Sequence, residues 1–304
     1  VQRLHFVTGK GGVGKTTIAA ALAQRMAERG RRVLLVEMAA DRGVAALFGT
    51  TPLSSEPTRL AARLDAVRAE DRTLVEGYFR RLLRLPFLSR RLFASATFHA
   101  VTAAAPGVTE FVLLDQLAQW TAPGWFGQRA RYDQVVVDGP ASGHALRLLR
   151  APQQLAALVP RGPLSATMRR LVNLLGDHEH TRVVLVAIPD EMAVSEAIEA
   201  HNALTKLGLH VTRPVLNRVW PRRFSAADAA AIAALRRRDD HPMLAAAQLE
   251  IATRREAERH LGRLRRAFGT PPVPLRECCR DAVDPAVIRE MGQRLERGLI
   301  DHVG

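Results

Sequence analysis

The ten residues Thr8-Gly9-Lys10-Gly11-Gly12-Val13-Gly14-Lys15-Thr16-Thr17 constrain this chain more than any other feature. They follow an apolar run, RLHFVT at 3 to 8, and precede a stretch suited to a helix from about Lys15 to Glu28, so they join a strand to a helix. Gly9, four intervening residues and then Gly14-Lys15-Thr16 make up the Walker A spacing. The residue types suit phosphate. Glycines let successive backbone N–H groups turn inward around the oxygens, and the helix N-terminus adds partial positive charge. The backbone of Gly9, Gly11, Gly12, Val13 and Gly14 is therefore expected to cradle the phosphates of ATP. Lys15 is expected to reach the β- and γ-phosphates, Thr16 to offer its hydroxyl to Mg2+, and Thr17 to contact the α-phosphate.

Gly9, Gly11 and Gly14 also satisfy the dinucleotide spacing, with Glu37 roughly twenty residues further on, where a ribose-binding acid would stand. Lys15 and Thr16 decide between the two readings. A nicotinamide cofactor needs neither a lysine on a terminal phosphate nor a hydroxyl on a metal ion.

Gly30 is placed to stop the first helix, and residues 32 to 37 read as a second strand, so the first 37 residues form a right-handed βαβ unit. Further strands are expected at 133 to 137, 182 to 187, 211 to 216 (weakened by Pro214) and around 272 to 275. Their continuous apolar character predicts an α/β fold, a mostly parallel P-loop sheet with helices on both faces. Residues 56 to 128 carry helical patterns and no convincing central strand, which predicts a helical subdomain inserted within a single domain spanning 1 to 304. There Leu74, Val75, Tyr78, Phe79, Leu82 and Leu83 recur at helical spacing. Ala- and Arg-rich helices are expected at roughly 226 to 238 and 244 to 266, and a last one at about 285 to 299, capped near Asp284 with Pro285 at its first position.

A hydrophobic fraction of 47% with 24% charged residues predicts a folded chain rather than a disordered one. The formal charge of +14 favours anionic partners without choosing among ATP, anionic lipid, nucleic acid and an acidic protein. No apolar run is of bilayer length, and no charged leader with a cleavage site opens the sequence, which points to the cytoplasm. Cys278 and Cys279 are adjacent and form neither a metal-ligand pattern nor a disulfide framework.

A second segment narrows the class. Residues 133 to 147, DQVVVDGPASGHALR, form an apolar strand that delivers Asp138 to a turn before a helix, where a carboxylate can hold Mg2+ or its water. Gly143, His144, Leu146 and Arg147 follow at a spacing that resembles a segment of the arsenite-pump and tail-anchored-protein-targeting ATPases. Lys10-Gly11-Gly12-Val13-Gly14-Lys15-Thr16-Thr17 resembles the deviant Walker A of the wider class that includes ParA and MinD. The chain is thus similar to a single-domain bacterial member of that family. The resemblance implies that Lys10 crosses a dimer interface to the partner's phosphates, that residues from Asp138 onward form a switch sensing the γ-phosphate, and that Asn217 and the loop at Pro274 hold the adenine. It also implies a homodimer, or a heterodimer with a paralogue.

Several positions depart from the family. Its first switch begins with an Asp that orients the attacking water; here EMAADR occupies residues 37 to 42, so Glu37 stands in that place and Asp41 is the nearby alternative. A carboxyl group is kept on a longer stem, and a displacement of about 1 Å in such a group can cost on the order of a hundredfold in rate. Slow or partner-stimulated turnover is expected. The two adjacent cysteines are a poor thiolate set for arsenite, and the Cys-x-x-Cys zinc site of the eukaryotic targeting factors is missing. Residues 56 to 128 hold no methionine, so their Leu, Phe, Tyr and Arg pattern fits a groove for an apolar helix client, an anionic membrane surface or plain cover for the sheet. The reading is an ATP-hydrolysing dimeric switch, cytoplasmic or peripheral at a membrane. Two alternatives stay open: a ParA-like positioning ATPase, which the second switch argues against along with nucleic-acid binding, and a weakly catalytic subunit of a paired ATPase.

Overall fold

The structure, a computed structural model, describes residues 3–38, 43–69, 108–121, 131–158, 161, 163–237, 241–277 and 285–300. Strand β1 (Arg3–Gly9) leads through the glycine loop to helix α1 (Lys15–Glu28), and β2 (Val33–Glu37) follows. Next come a short α2 (Gly43–Leu47), β3 (Thr58–Ala61), β4 (Leu64–Arg68) and α3 (Val108–Thr121). The second half runs β5 (Gln134–Ala141), α4 (Ser142–Leu158), α5 (Pro163–Gly176), β6 (Thr181–Ala187), α6 (Glu191–Lys206), β7 (Val215–Val219), α7 (Ala226–Arg236), α8 (Pro242–Phe268), β8 (Val273–Arg276) and α9 (Pro285–Leu295). A π-helical turn, Glu296–Ile300, extends α9.

The strands form one sheet in the order β3-β4-β2-β5-β1-β6-β7-β8. All neighbours pair in parallel except β3, which runs antiparallel to β4 at the edge. Each residue of β2 and β6 is buried, as strands covered on both faces require. One face packs Ile18 and Leu22 of α1 with Ile288, Met291 and Leu295 of α9. The other packs Phe111 and Leu114 of α3, Leu148 and Leu149 of α4, and Met168 and Leu171 of α5 against Leu4, Phe6 and Val135. The expected α/β sheet with helices on both faces is the observed one.

Alpha-1 and α9 approach closely because Gly292 lacks a side chain: a Cβ there would fall 2.7 Å from the carbonyl oxygen of Ala21. The contact is closed by Glu296, buried at the end of α9, which accepts from Arg25 Nη2 at 2.6 Å and Arg29 Nε at 2.5 Å. Among the described residues no helix is long and apolar enough to cross a membrane.

Two expectations need correction. Residues 58 to 68 hold β3 and β4, and β4 pairs with β2 inside the sheet, so the stretch from 56 onward does contribute strands. Its Ala, Leu and Arg residues have helical propensity, but pairing with β2 buries Leu64, Ala66 and Val67, and that burial outweighs propensity. The strand expected at 211 to 216 begins at Val215 instead, with Val211 making only an isolated bridge to Val183. Pro214 has no N–H to donate, and the ladder starts after it. Asn217 consequently lies inside β7 rather than after it. The stripe at 74 to 83, Cys278, Cys279 and Asp284 fall outside the described residues.

Candidate nucleotide site

The glycine loop leaves the carboxyl end of β1 at the centre of the sheet. Gly9, at φ 154°, lies against β6 so closely that a Cβ would fall 2.1 Å from the Val186 carbonyl oxygen. Gly14, at φ 92°, is the N-cap of α1, and no side chain caps that helix. The first N–H groups of α1 therefore remain available to an anion. A Cβ on Gly14 would fall 2.5 Å from Asn217 Nδ2, whose amide donates to the Val13 carbonyl at 2.9 Å. Asn217 is thus a buried brace that reaches from β7 to the loop. Pro274 is exposed on β8, beside Leu216 in the register, at the same end of the sheet.

The two loop lysines go separate ways. Lys15 Nζ donates to the Lys10 carbonyl at 3.1 Å, turning over the loop. Lys10 Nζ points outward and lies 3.8 Å from Asp190 Oδ1. Asp190 is the N-cap of α6 and accepts from the Ala193 N–H at 3.0 Å. Its role was not anticipated from sequence, although an Asp after the apolar strand 182 to 187 and before Glu191 carries the signal of a helix start.

Two buried acids complete the site. Glu37, the last residue of β2, and Asp138 are register partners and both are fully buried; β5 runs on to Ala141, so Asp138 lies inside the strand and not at its end as expected. Glu37 Oε1 accepts from the Val44 N–H at 3.0 Å, capping α2, while its Oε2 is buried without a hydrogen-bond partner. Alpha-2 begins over the loop: a Cβ on Gly43 would lie 3.0 Å from Thr16 Cγ2. Thr8 ties the loop strand to the segment after Asp138 by donating to the Pro140 carbonyl at 2.8 Å. Further along that segment, the buried Ser142 hydroxyl donates to Glu196 of α6, while His144 and Arg147 stand exposed on the first turns of α4. The fold thus gathers the loop, Glu37, Asp138 and Asn217 at one end of the sheet; Asp41 lies outside the described residues.

Such a loop at the carboxyl ends of central parallel strands, with two acids beside it, has the chemistry that a nucleoside triphosphate site requires. The anion-transporting ATPase family profile matches residues 2–162 and 163–244. The Mycobacterium tuberculosis ATPase BagA is 31% identical over 233 residues, which cover 75% of this chain and 68% of that protein. An arsenical pump-driving ATPase of Escherichia coli is 28% identical over 252 residues, covering 77% of this chain but only 42% of its own length. Putative arsenical pump-driving ATPase 2 of Aquifex aeolicus is 24% identical over 248 residues, 72% of this chain and 81% of that protein. The chain belongs to the anion-transporting ATPase family, a P-loop class, and is an ATPase.

Proposed function

We propose that the chain is a Mg-ATP-dependent switch that works as a closed pair of P-loop units, two copies of itself or one copy with a paralogue. The observation that carries this is the separation of the two lysines: Lys15 turns inward over the loop, whereas Lys10 faces outward to Asp190 and has no task on its own loop. In a face-to-face pair Lys10 would leave Asp190 and stabilise charge developing on the partner's γ-phosphate, as an arginine finger does in trans.

The donor set suits a hard divalent cation, since the Thr16 hydroxyl and the Asp138 carboxyl offer oxygen ligands beneath the first turn of α2. When bound, Mg2+ supplies positive charge to the β- and γ-phosphate oxygens. The reaction needs only an in-line water and no covalent intermediate. Glu37 is the first choice to orient that water, because its Oε2 is buried with no other acceptor duty while Oε1 is fixed by Val44. Asp41 is the alternative. The Gly9 to Thr17 backbone holds the phosphates, and Lys15 neutralises the β- and γ-phosphate charge. Asn217 and Pro274 flank the adenine end, with Asn217 also setting the loop's shape through Val13.

Nucleotide state would reach the rest of the fold through the segment after Asp138, which grips α6 by way of Ser142 and Glu196. The segment from 56 to 128 would receive that motion and present a surface for an apolar helix client or a membrane. The coupled work is protein targeting, membrane-associated action or anion-related transport.

The test is ATP turnover at several protein concentrations for the wild type, Lys10→Ala and Glu37→Gln, with mass measured with and without Mg-ATP. Turnover per chain that rises with concentration, and collapses in both variants while ATP promotes dimers, supports the self-paired switch. Nucleotide binding without either effect refutes self-pairing and points to a paralogue, whose addition must then restore turnover.

A further inference from the structure

At the opposite end of the sheet from the glycine loop lies a cavity of about 640 Å³, partly open to solvent. Beta-6 connects the two ends. Val186 is the neighbour of Gly9, and Arg182, which lines the cavity, lies four residues earlier on the same strand. At roughly 3.3 Å per residue the two sites are separated by on the order of 13 Å of strand.

Arg182 is 8% exposed, and its Nε is buried without a hydrogen-bond partner. Among the described residues its guanidinium forms no ion pair. Burial and the charge of Arg3 lower its pKa from the ordinary arginine value, and only Glu179 opposes them. Glu179 is itself engaged by Arg3, at 3.7 Å through the carboxylate and 3.1 Å through the backbone carbonyl. Arg213 stands on the rim, its Nε donating to the Pro271 carbonyl at 2.8 Å. The rings of His178 and His210 lie 5.0 Å apart on another wall. Thr212 and Thr270 add hydroxyls, and Val211, Phe268 and Leu299 supply apolar surface.

A buried guanidinium is held at a cost unless an anion meets it, because an isolated charge loses its hydration on burial. Arginine presents a planar fork that suits phosphate oxygens. Among the described residues the cavity gathers two guanidiniums, two imidazoles and the Thr270 hydroxyl against a single carboxylate already held by Arg3, the Thr212 hydroxyl being engaged with the Val183 and Arg213 carbonyls. Its volume exceeds that of a lone phosphate, and its apolar wall gives room for an attached organic group.

We propose that this cavity is a second anion site, separate from the nucleotide site, that binds a phosphate group through Arg182 and Arg213, either as free phosphate or as the head of a small phosphomonoester. Its residues lie at the opposite end of β6 from the glycine loop, so the proposed reaction does not use them.

The test is calorimetric titration of inorganic phosphate, and separately of phenyl phosphate, into the full chain saturated with Mg2+ and a slowly hydrolysed ATP analogue, so that the glycine loop is filled. Binding of one phosphate group per chain is expected, abolished by Arg182→Gln and weakened about tenfold by Arg213→Gln. Tighter binding of phenyl phosphate identifies a phosphomonoester site, and equal or weaker binding identifies a free-phosphate site. Arg213→Gln alters a half-buried rim residue outside the core, so it decides the matter even if Arg182→Gln does not fold. Absence of binding, or binding that persists unchanged in Arg213→Gln and any folded Arg182 variant but disappears in Lys15→Ala, overturns the proposal.

Discussion

Lys10 and Asp190 of the same chain stand 3.8 Å apart, an ion pair between the glycine loop and the start of α6 with both side chains partly in water. Asp190 is a charged hold on the lysine that the proposed closure requires to be released. An exposed pair of this kind is worth about 0–1 kcal/mol, so its removal should change rates by no more than about fivefold.

Asp190→Asn keeps an N-cap for α6 while deleting the charge. Turnover at low protein concentration is expected to rise about two- to fivefold, and Lys10→Ala should erase the gain in the double variant. Steady-state rates across a concentration series check this; an unchanged or lower rate in Asp190→Asn argues against release of Lys10 as part of closure.

The proposed water-orienting task of Glu37 can be separated by substitution from its contact with Val44. Glu37→Gln keeps an acceptor for the Val44 N–H, so the fold and ATP affinity should be retained within a few-fold while single-turnover hydrolysis falls on the order of a hundredfold. Glu37→Ala should in addition lose about 1 kcal/mol of stability with the α2 cap. If Glu37→Gln hydrolyses ATP normally, the water belongs to Asp41.

Gly14→Ala places a methyl 2.5 Å from Asn217 Nδ2 on a backbone at φ 92°. The strained conformation costs on the order of 1–3 kcal/mol, and the loop must also shift from its brace. Nucleotide affinity should drop by at least tenfold. Asn217→Ala in the Gly14→Ala background should recover part of the stability but not the affinity, as read by thermal denaturation and nucleotide titration.

His5 offers a pH signature. Burial dominates its environment and, against the hydrogen bond with Gln134, lowers its pKa from 6.5 to about 4. The unfolded chain therefore binds a proton between these values that the folded chain refuses. The stability contributed by neutral His5 is fully present above pH 6.5 and is lost as pH falls through the window from 6.5 to about 4, by roughly 3 kcal/mol. His5→Gln should flatten that part of the stability profile. Urea denaturation at pH 7, 5.5 and 4.5 provides the comparison.

The first βαβ unit was legible because its signals agree: apolar strands, a glycine loop and a helix that starts and stops where α1 does. The run delivering Asp138 was equally plain. Beta-4 was not, since Leu64-Asp65-Ala66-Val67-Arg68 gains its strand identity from β2, thirty residues earlier, and alone reads as helix-forming. The choice of residue types at Lys10, Lys15, Glu37 and Asn217 could be read from spacing, but not their contacts. Asn217 on Val13 and Lys10 on Asp190 each join segments about two hundred residues apart, and local pattern holds no record of such meetings.

The strand order carries a consequence for the chain as it is made. Beta-1 and β2 never pair with each other; each is bonded to β5, which is wedged between them. On a growing chain, their facing edges must wait about a hundred residues for that wedge, on the order of 5–20 s at roughly 5–20 residues per second. The brace at Asn217 arrives later still. The glycine loop is thus translated early and takes its final shape late, leaving two bare apolar edges in the interval as the natural target for a chaperone or for misassembly.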